Sequence, residues 1–367
     1  MSFGAIILAD GLPFRTGALN PLLEIGGRSL IDRCGALFSQ AGIQEILVVS
    51  GSKARDVEAE ALQLGLTTIH NPDFSAGLLW SVRLGLGRLS NHKGIFILPA
   101  DIPLVRPATL SSLVSVFDGI SVIYPCFDGR RGHPLLIPAA LIPVILNYAG
   151  QDSLKELLER HKCRDVAVWD QGILPDTSTE EGFTVLQQRF SRVEIGEPAE
   201  TLALARQTMS AKGLEHGLAV ARVADALGLQ LVEHGCALDL VLLHNAALLH
   251  DIAKGLPQHE KMGADMLRDL GLGRLSPLVA AHRNMLPPRP GQITETEVVF
   301  LADKLIRGSR RIRLQERFNE KLELYKNNRK AYLSNKIRLK NALAVKAEIE
   351  KIIGGGVEEL LQEKGVP

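Results

Sequence analysis

The sequence predicts an α/β domain built on a doubly wound, mostly parallel sheet, followed by an all-α domain. Short apolar, β-rich runs alternate with helical stretches from Phe3 to about Phe183, the pattern of a sheet covered on both faces. From about Glu197 strand signals vanish and helical periodicity takes over. The length of 367 residues, roughly twice that of a typical domain, fits two units. A polar stretch, QQRFSRVEIGEPAE, holds Gly196 and Pro198 and separates the two patterns. The expected bounds are 1–188 for the α/β domain, 189–198 for a linker and 199–367 for the helical domain with its basic tail.

Branched and aromatic residues crowd short runs ended by turn residues, which marks FGAIILA, EILVVSG, TTIHN, GIFILPAD, SVIYPCF and HPLLIP as strands. Between them RSLIDRCGALFSQAG, SKARDVEAEALQLG and ATLSSLVSVF repeat apolar positions at helical spacing. In the second half PAETLALARQTMSAKGLEHGLAVARVADALG, LVLLHNAALLHDIAKG, HEKMGADMLRDLG and TETEVVFLADKLIRGSR do the same, ahead of a long charged tail. There Leu314, Phe318, Leu322 and Tyr325 recur at helical spacing, so one face packs and the other is basic and solvated. A sharper alternative has Arg307, Arg310 and Arg311 closing over an anionic substrate.

A net charge of +1 excludes a global nucleic-acid footprint, and aromatic residues are too sparse in the basic tail to favour RNA. Cys34, Cys126, Cys163 and Cys236 lie far apart with no C-x-x-C pair, which fits reduced thiols and a cytoplasmic setting. The apolar start, FGAIILAD, lacks a basic flank and is too short to span a bilayer. Neither a signal peptide nor a membrane partner is expected.

The run LLHDIAKG reads as a buried helix, yet it carries His250 and Asp251 side by side. Adjacent helical positions lie about 100° apart, so both can border one cleft, with the carboxylate bridging two ions. Further donors stand in order: His216 in LEHGLAVA, His259 in PQHEKMGA, His282 in AAHRN and Asp303 in FLADK. Imidazoles and carboxylates converging from separate helices suit iron, manganese or zinc. A lone His-Asp pair is equally a hydrogen-bonded core feature; the ordered set is what points to metal. His234 and His244 fall outside it and read as structural.

Residues 200 to 310, with H…HD…D in that order, resemble the HD-domain metal-dependent phosphohydrolases, and the additional histidines resemble their dinuclear branch. The resemblance implies that His216, His250, Asp251 and Asp303 hold one ion while Asp251 bridges to a second on His259 and His282. It implies hydrolysis of a nucleotide or phosphorylated small molecule, by water activated between two such ions. Asp251 and Lys254 would be the catalytic pair, Lys254 offering its ammonium to the phosphate; alternatively that lysine simply faces solvent near a helix C-terminus.

In the first domain, FGAIILA runs into DGLPFRTGALNPLLEIGGRSLI, whose Gly11, Gly17 and Arg15 suit a phosphate-cradling loop or, equally, a structural turn. GIFILPADIPLV ends a buried strand on Asp101, at the edge where α/β sheets place ligands and Mg²⁺. NPDFSAGLLWSVRLGL and DGRRGHPLLIP add Asn71, Gly77, Ser81, Gly132, His133 and Pro134. Together these blocks, over residues 3 to about 185, resemble the MobA-like nucleotidyltransferases, particularly the MocA-type molybdenum-cofactor cytidylyltransferases, whose fold is of the nucleotide-diphospho-sugar-transferase type. The family opening L-A-A-G-x-S-x-R-M-G-x-x-K maps onto Leu8 to Asn20 without gaps.

The resemblance implies nucleotide contacts from Leu8, Gly11, Arg15, Gly17, Asn20, Asn71, Gly77, Ser81 and Asp101, with Mg²⁺ at Asp101. It implies a molybdopterin acceptor near Gly132 and His133, though His133 can equally support a turn before Pro134. Four departures matter: Asn20 replaces the family lysine, Asp10 a small residue, Pro13 a serine, and Ser178 in DTSTEEG a second aspartate. Losing a lysine–phosphate bond removes roughly 1.5–3 kcal/mol. The expectation is therefore a bifunctional protein, a hydrolase joined to an impaired transferase, unless Arg15, Arg28 or Lys53 restores the charge. The alternative is a sensor whose first domain only binds a nucleotide or cofactor and gates the hydrolase.

Overall fold

Gly4 to Ala9 are all buried, because β1 (Phe3–Ala9) lies in the middle of a sheet with both faces covered. The structure is a computed structural model that describes residues 2–10, 20–52, 54–89, 91–150, 152–175 and 180–366. It divides into two compact units, Met1–Arg192 and Val193–Pro367.

In the first unit β1 is followed by a small hairpin of β2 (Glu24–Ile25) and β3 (Arg28–Ser29), then α1 (Leu30–Gln40) and β4 (Ile46–Ser50). Next come α2 (Ala54–Gln63), β5 (Thr67–His70), α3 (Leu78–Arg88), β6 (Gly94–Pro99) and α4 (Pro107–Ser115). The unit closes with β7 (Val122–Phe127), β8 (Arg130–Arg131), β9 (Leu135–Pro138), α5 (Ile142–Leu146), α6 (Leu154–Glu159), β10 (Cys163–Ala167) and α7 (Glu180–Ser191). The sheet runs β10-β7-β9-β6-β1-β4-β5, with β8 paired to β7. All its pairings are parallel except those of β9 with β6 and β7 and of β8 with β7. Local chemistry starts the helices: Ser29 caps α1 by accepting from Asp32 N–H, and Ser153 with Glu156 forms a capping box on α6. Because β1 and β6 are parallel neighbours, with Leu8 beside Pro99, Asp10 and Asp101 emerge at the same sheet edge.

The second unit is helical: α8 (Pro198–Thr208), α9 (Ala211–Glu233), α10 (Leu240–Leu249), α11 (His259–Asp269), α12 (Ser276–Ala281) and α13 (Glu295–Leu305). A short hairpin of β11 (Ile306–Arg307) and β12 (Arg310–Arg311) leads to α14 (Leu314–Leu324), α15 (Arg329–Ile353) and α16 (Val357–Glu363). The apolar α10 is the core helix, packed against α8, α9 and α13. α9 approaches it closely through glycine: a Cβ at Gly217 would stand 2.4 Å from the Leu248 carbonyl oxygen.

Two sequence expectations need correction here. The segment 189–198 is not a free linker: α7 runs to Ser191, and Ile195 is buried within the helical unit. Asn245 Nδ2 donates to the carbonyls of Ile195 and Gly196 at 2.9 and 2.8 Å, which ties that segment to α10. Nor does the helix continue through HDIAKG. It ends at Leu249, and Asp251 to Gly255 form turns closed by Gly255 at φ 102°. All four thiols are free, and among the described residues no helix is long and apolar enough to cross a membrane.

Candidate functional site

The early end of α10 turns Asp251 back toward the histidines of other helices. His216 comes from the first turns of α9, His250 caps α10, His259 starts α11, His282 caps α12 and Asp303 sits in α13. Asp251 Oδ2 lies 3.9 Å from His216 Nε2 and 3.5 Å from His250 Nε2; its Oδ1 lies 3.4 Å from His259 Nε2 and 3.6 Å from His282 Nε2. Two groups that could hold a metal ion result, His216–His250–Asp251 and Asp251–His259–His282, and Asp251 belongs to both.

Backbone contacts orient three of these rings. His216 Nδ1 meets the Gly308 carbonyl at 2.7 Å, His250 Nδ1 that of Ala247 at 2.8 Å and His282 Nδ1 that of Val279 at 2.6 Å. A carbonyl only accepts, so each Nδ1 carries a proton, and each ring turns its Nε2 toward Asp251. Support of this kind is what fixes the tautomer of a metal-ligating histidine. Among the described residues, His250 Nε2 is buried without a hydrogen-bond partner. An orphaned lone pair is costly in a protein interior, and a cation among these donors would satisfy it. The donor set fits a divalent metal.

Asp303 stands slightly apart. Its Oδ1 is 3.4 Å from His216 Nε2 and 3.8 Å from His250 Nε2, while Lys304 and Arg317 also engage the carboxylate. Lys254 Nζ donates to Asp251 Oδ2 at 2.6 Å from a largely exposed side chain. Burial opposes ionisation of Asp251, but His250 and Lys254 outweigh it and hold the carboxyl well below the usual carboxylate range. Asp303 behaves alike, with Lys304 foremost against its burial. Burial first, then the charge of His250, brings His282 down to about 4, which keeps its ring neutral. For His250 burial works downward, yet Asp251 and Asp303 prevail and raise its pKa.

The cluster opens into a cavity of about 1060 Å³. Its walls come from α9, the turn after His250, α13 and, unanticipated, the tail helices α14 and α15. The tail is thus not merely a solvated face. Of the three arginines expected to close over a substrate, Arg307 lines the cavity, but its guanidinium pairs with Glu320 at 2.6 Å. Arg317, Lys321 and Arg338 line the cavity instead. Basic residues recur throughout that segment, so no sequence signal singled these out. His244 pairs with Asp225 and His234 with the Gln230 carbonyl, both away from the cluster.

In the α/β unit, Asp10 is buried. Its Oδ2 accepts from Ser81 Oγ, which in turn accepts from Asn71 Nδ2 at 2.8 Å. Asn71 and Ser81, both expected as nucleotide contacts, thus form one internal chain with Asp10 that joins the ends of β1 and β5 to α3. Burial, chiefly, raises the Asp10 pKa, and the nearby Asp101 charge adds to it. The Leu8 side chain lies in the sheet core and its carbonyl accepts from Ala100 N–H, so its side chain is not a ligand contact. Gly77, at φ 105°, starts α3, and Asn20 Oδ1 accepts locally from Leu22 N–H. Arg28 is paired with Asp32 through two 2.6 Å bonds. Gly11, Pro13, Arg15, Gly17, Lys53 and Ser178 lie outside the described residues. Gly132 and His133 line a separate cavity of about 730 Å³, with Tyr124, Arg131 and Lys155 among its walls. A Cβ at Gly132 would stand 2.4 Å from the Ile173 carbonyl oxygen, so glycine is required there.

The first unit thus presents carboxylates at the strand ends of a mostly parallel sheet, and the helical unit a cluster of imidazoles and carboxylates that could hold metal ions. In family terms, residues 5–166 match the MobA-like NTP transferase domain and residues 213–308 the HD domain. The molybdenum cofactor cytidylyltransferase of Escherichia coli K12 is 24% identical over 51% of this chain and 97% of its own length. The nicotine blue oxidoreductase of Paenarthrobacter nicotinovorans is 28% identical over 50% of this chain and 93% of its own. Relatives of the first unit thus bear the names of both a transferase and an oxidoreductase, so the resemblance does not set its activity. Among solved structures, Rv0371c from Mycobacterium tuberculosis H37Rv covers 51% of this chain and 98% of its own at 23% identity, with a TM-score of 0.45.

Proposed function

We propose that the helical unit hydrolyses a phosphate ester or anhydride, using two divalent ions of the iron, manganese or zinc kind held on either side of Asp251. The orphaned Nε2 of His250, buried in a ring of carboxylates and oriented imidazoles, is the observation that carries this reading. Bound ions of this kind supply Lewis acidity and an activated water for breaking a P–O bond. The chain's own residues then do the positioning. His216, His250 and His282 are held by backbone carbonyls, Asp303 is kept ionised by Lys304 and Arg317, and Lys254 sits where its ammonium can pass from Asp251 to a phosphate oxygen.

The test is elemental analysis of the full chain purified without added metal or a histidine tag, beside His250→Ala and Asp251→Ala. About two ions per chain, lost in both variants together with hydrolysis of nucleotides or small phosphate esters, is the expected result. A metal-loaded chain inactive on every phosphate ester and anhydride offered would overturn it.

For the α/β unit the reading is binding of a nucleotide or pterin-like phosphate, molybdopterin included, with transfer weak or absent. Asn20 in place of lysine, and the closed Asp10–Ser81–Asn71 chain, favour it. In the full chain with His250→Ala, nucleotide binding without pyrophosphate release supports a sensing role that gates the hydrolase. Release from CTP or GTP with molybdopterin at an ordinary enzymatic rate would make the protein bifunctional.

A further inference from the structure

Cations outnumber carboxylates on the wall of the 1060 Å³ cavity, and four of them are already paired. Lys254 is bonded to Asp251, Lys304 and Arg317 to Asp303, and Arg307 to Glu320. Two half-buried cations are different. Lys321 on α14 has Arg317 and Lys304 as neighbours, lies over the Phe318 ring, and has no carboxylate within ion-pair distance among the described residues. The Arg338 guanidinium on α15 is steadied by Asn284, a neutral acceptor, at 2.8 Å. Crowding unpaired positive charge into a partly desolvated wall costs free energy, and an incoming anion recovers it. Burial and those neighbouring cations bring Lys321 down to about 8, the sign of such crowding. Both residues lie beyond the stretch matched to the HD domain, which ends at residue 308.

We infer that α14 and α15 build a second anion subsite, at which Lys321 and Arg338 hold a phosphate group other than the one at the metal ligands, so that the site takes a ligand carrying at least two phosphates. The cavity volume agrees, since it reaches the upper end of the range of about 300–1,000 Å³ that small-molecule sites occupy. A lone phosphate would leave most of it to solvent. The ligand's fate rests on the hydrolase reading; its recognition by the tail helices does not.

The test is calorimetric titration of the full chain, at a fixed concentration of free Mn²⁺, with inorganic phosphate and with tripolyphosphate. Wild type is expected to bind tripolyphosphate at least about tenfold more tightly, and Lys321→Ala or Arg338→Ala to shrink that ratio on the order of tenfold, the worth of one charge-assisted bond. Lys321→Arg should keep the ratio, which separates charge from a general loss of structure. A wild-type ratio near one, or a ratio untouched in both alanine variants, overturns the subsite. A chain that hydrolyses no phosphate yet keeps a Lys321-dependent ratio sinks the hydrolase reading and leaves the subsite standing. Hydrolysis with an unaltered ratio does the reverse.

Discussion

Replacing Gly217 by alanine tests whether helix spacing holds the metal ligands together. The added Cβ would stand 2.4 Å from the Leu248 carbonyl oxygen, where ordinary contact begins at 3.4 Å, and the obstacle is backbone that no rotamer change relieves. α9 and α10 must therefore separate by about 1 Å locally. His216 precedes Gly217 on α9, and His250 and Asp251 follow Leu248, so the same movement pulls the first ligand group apart. Metal sites tolerate about 0.2 Å. Overpacking costs about 1–3 kcal/mol, and alanine gives back about 0.8–1 kcal/mol of helix propensity, leaving about 0–2 kcal/mol of net destabilisation. At about 2–4 °C per kcal/mol the melting shift is small, so the decisive readout is metal content. Elemental analysis should find one ion lost from the His216–His250–Asp251 group and the other retained on Asp251, His259 and His282. Full loading with an unchanged melting temperature would refute the close α9–α10 contact.

Asn245→Ala should lower stability by about 2–4 kcal/mol in denaturant unfolding, because it strands the Ile195 and Gly196 carbonyls and removes the acceptor of the Thr201 hydroxyl. Chelation should lower the melting temperature of the wild type but not of Asp251→Ala, since an ion that binds only the folded chain stabilises it by mass action. The preference for tripolyphosphate should fall as pH rises through about 8, where Lys321 loses its proton under burial and the charges of Arg317, Lys304 and Arg338, against the attraction of Asp303; Lys321→Arg should hold the preference to higher pH. Asn20→Lys should raise nucleotide affinity on the order of tenfold in a binding titration, and no gain would show that other groups already balance the phosphate charge.

The convergence of His216, His250, Asp251, His259, His282 and Asp303 was legible in the sequence because so many imidazoles and carboxylates in apolar helical surroundings call for one another's company. The strands were legible for a similar reason: runs such as FGAIILA are apolar at every position, as a strand covered on both faces requires. Other features were not. Apolar periodicity continues through Ile252 and Ala253, so nothing local announced that α10 stops at Leu249. The orientation of Asp10 was hidden as well, since its partner Ser81 lies on α3, distant in sequence and adjacent only across the sheet.

By itself the sequence determined the class of each half, through the period of its apolar residues, and the donor types available to the helical site, through the order of its histidines and aspartates. Only the tertiary structure decided that α10 stops at Leu249, that Asp10 is bonded internally to Ser81, and that Lys321 and Arg338 share a cavity with the histidine–aspartate cluster. Periodicity and residue type are local properties of the chain, whereas the direction of a carboxylate and the partner of a cation depend on which distant helix packs beside it.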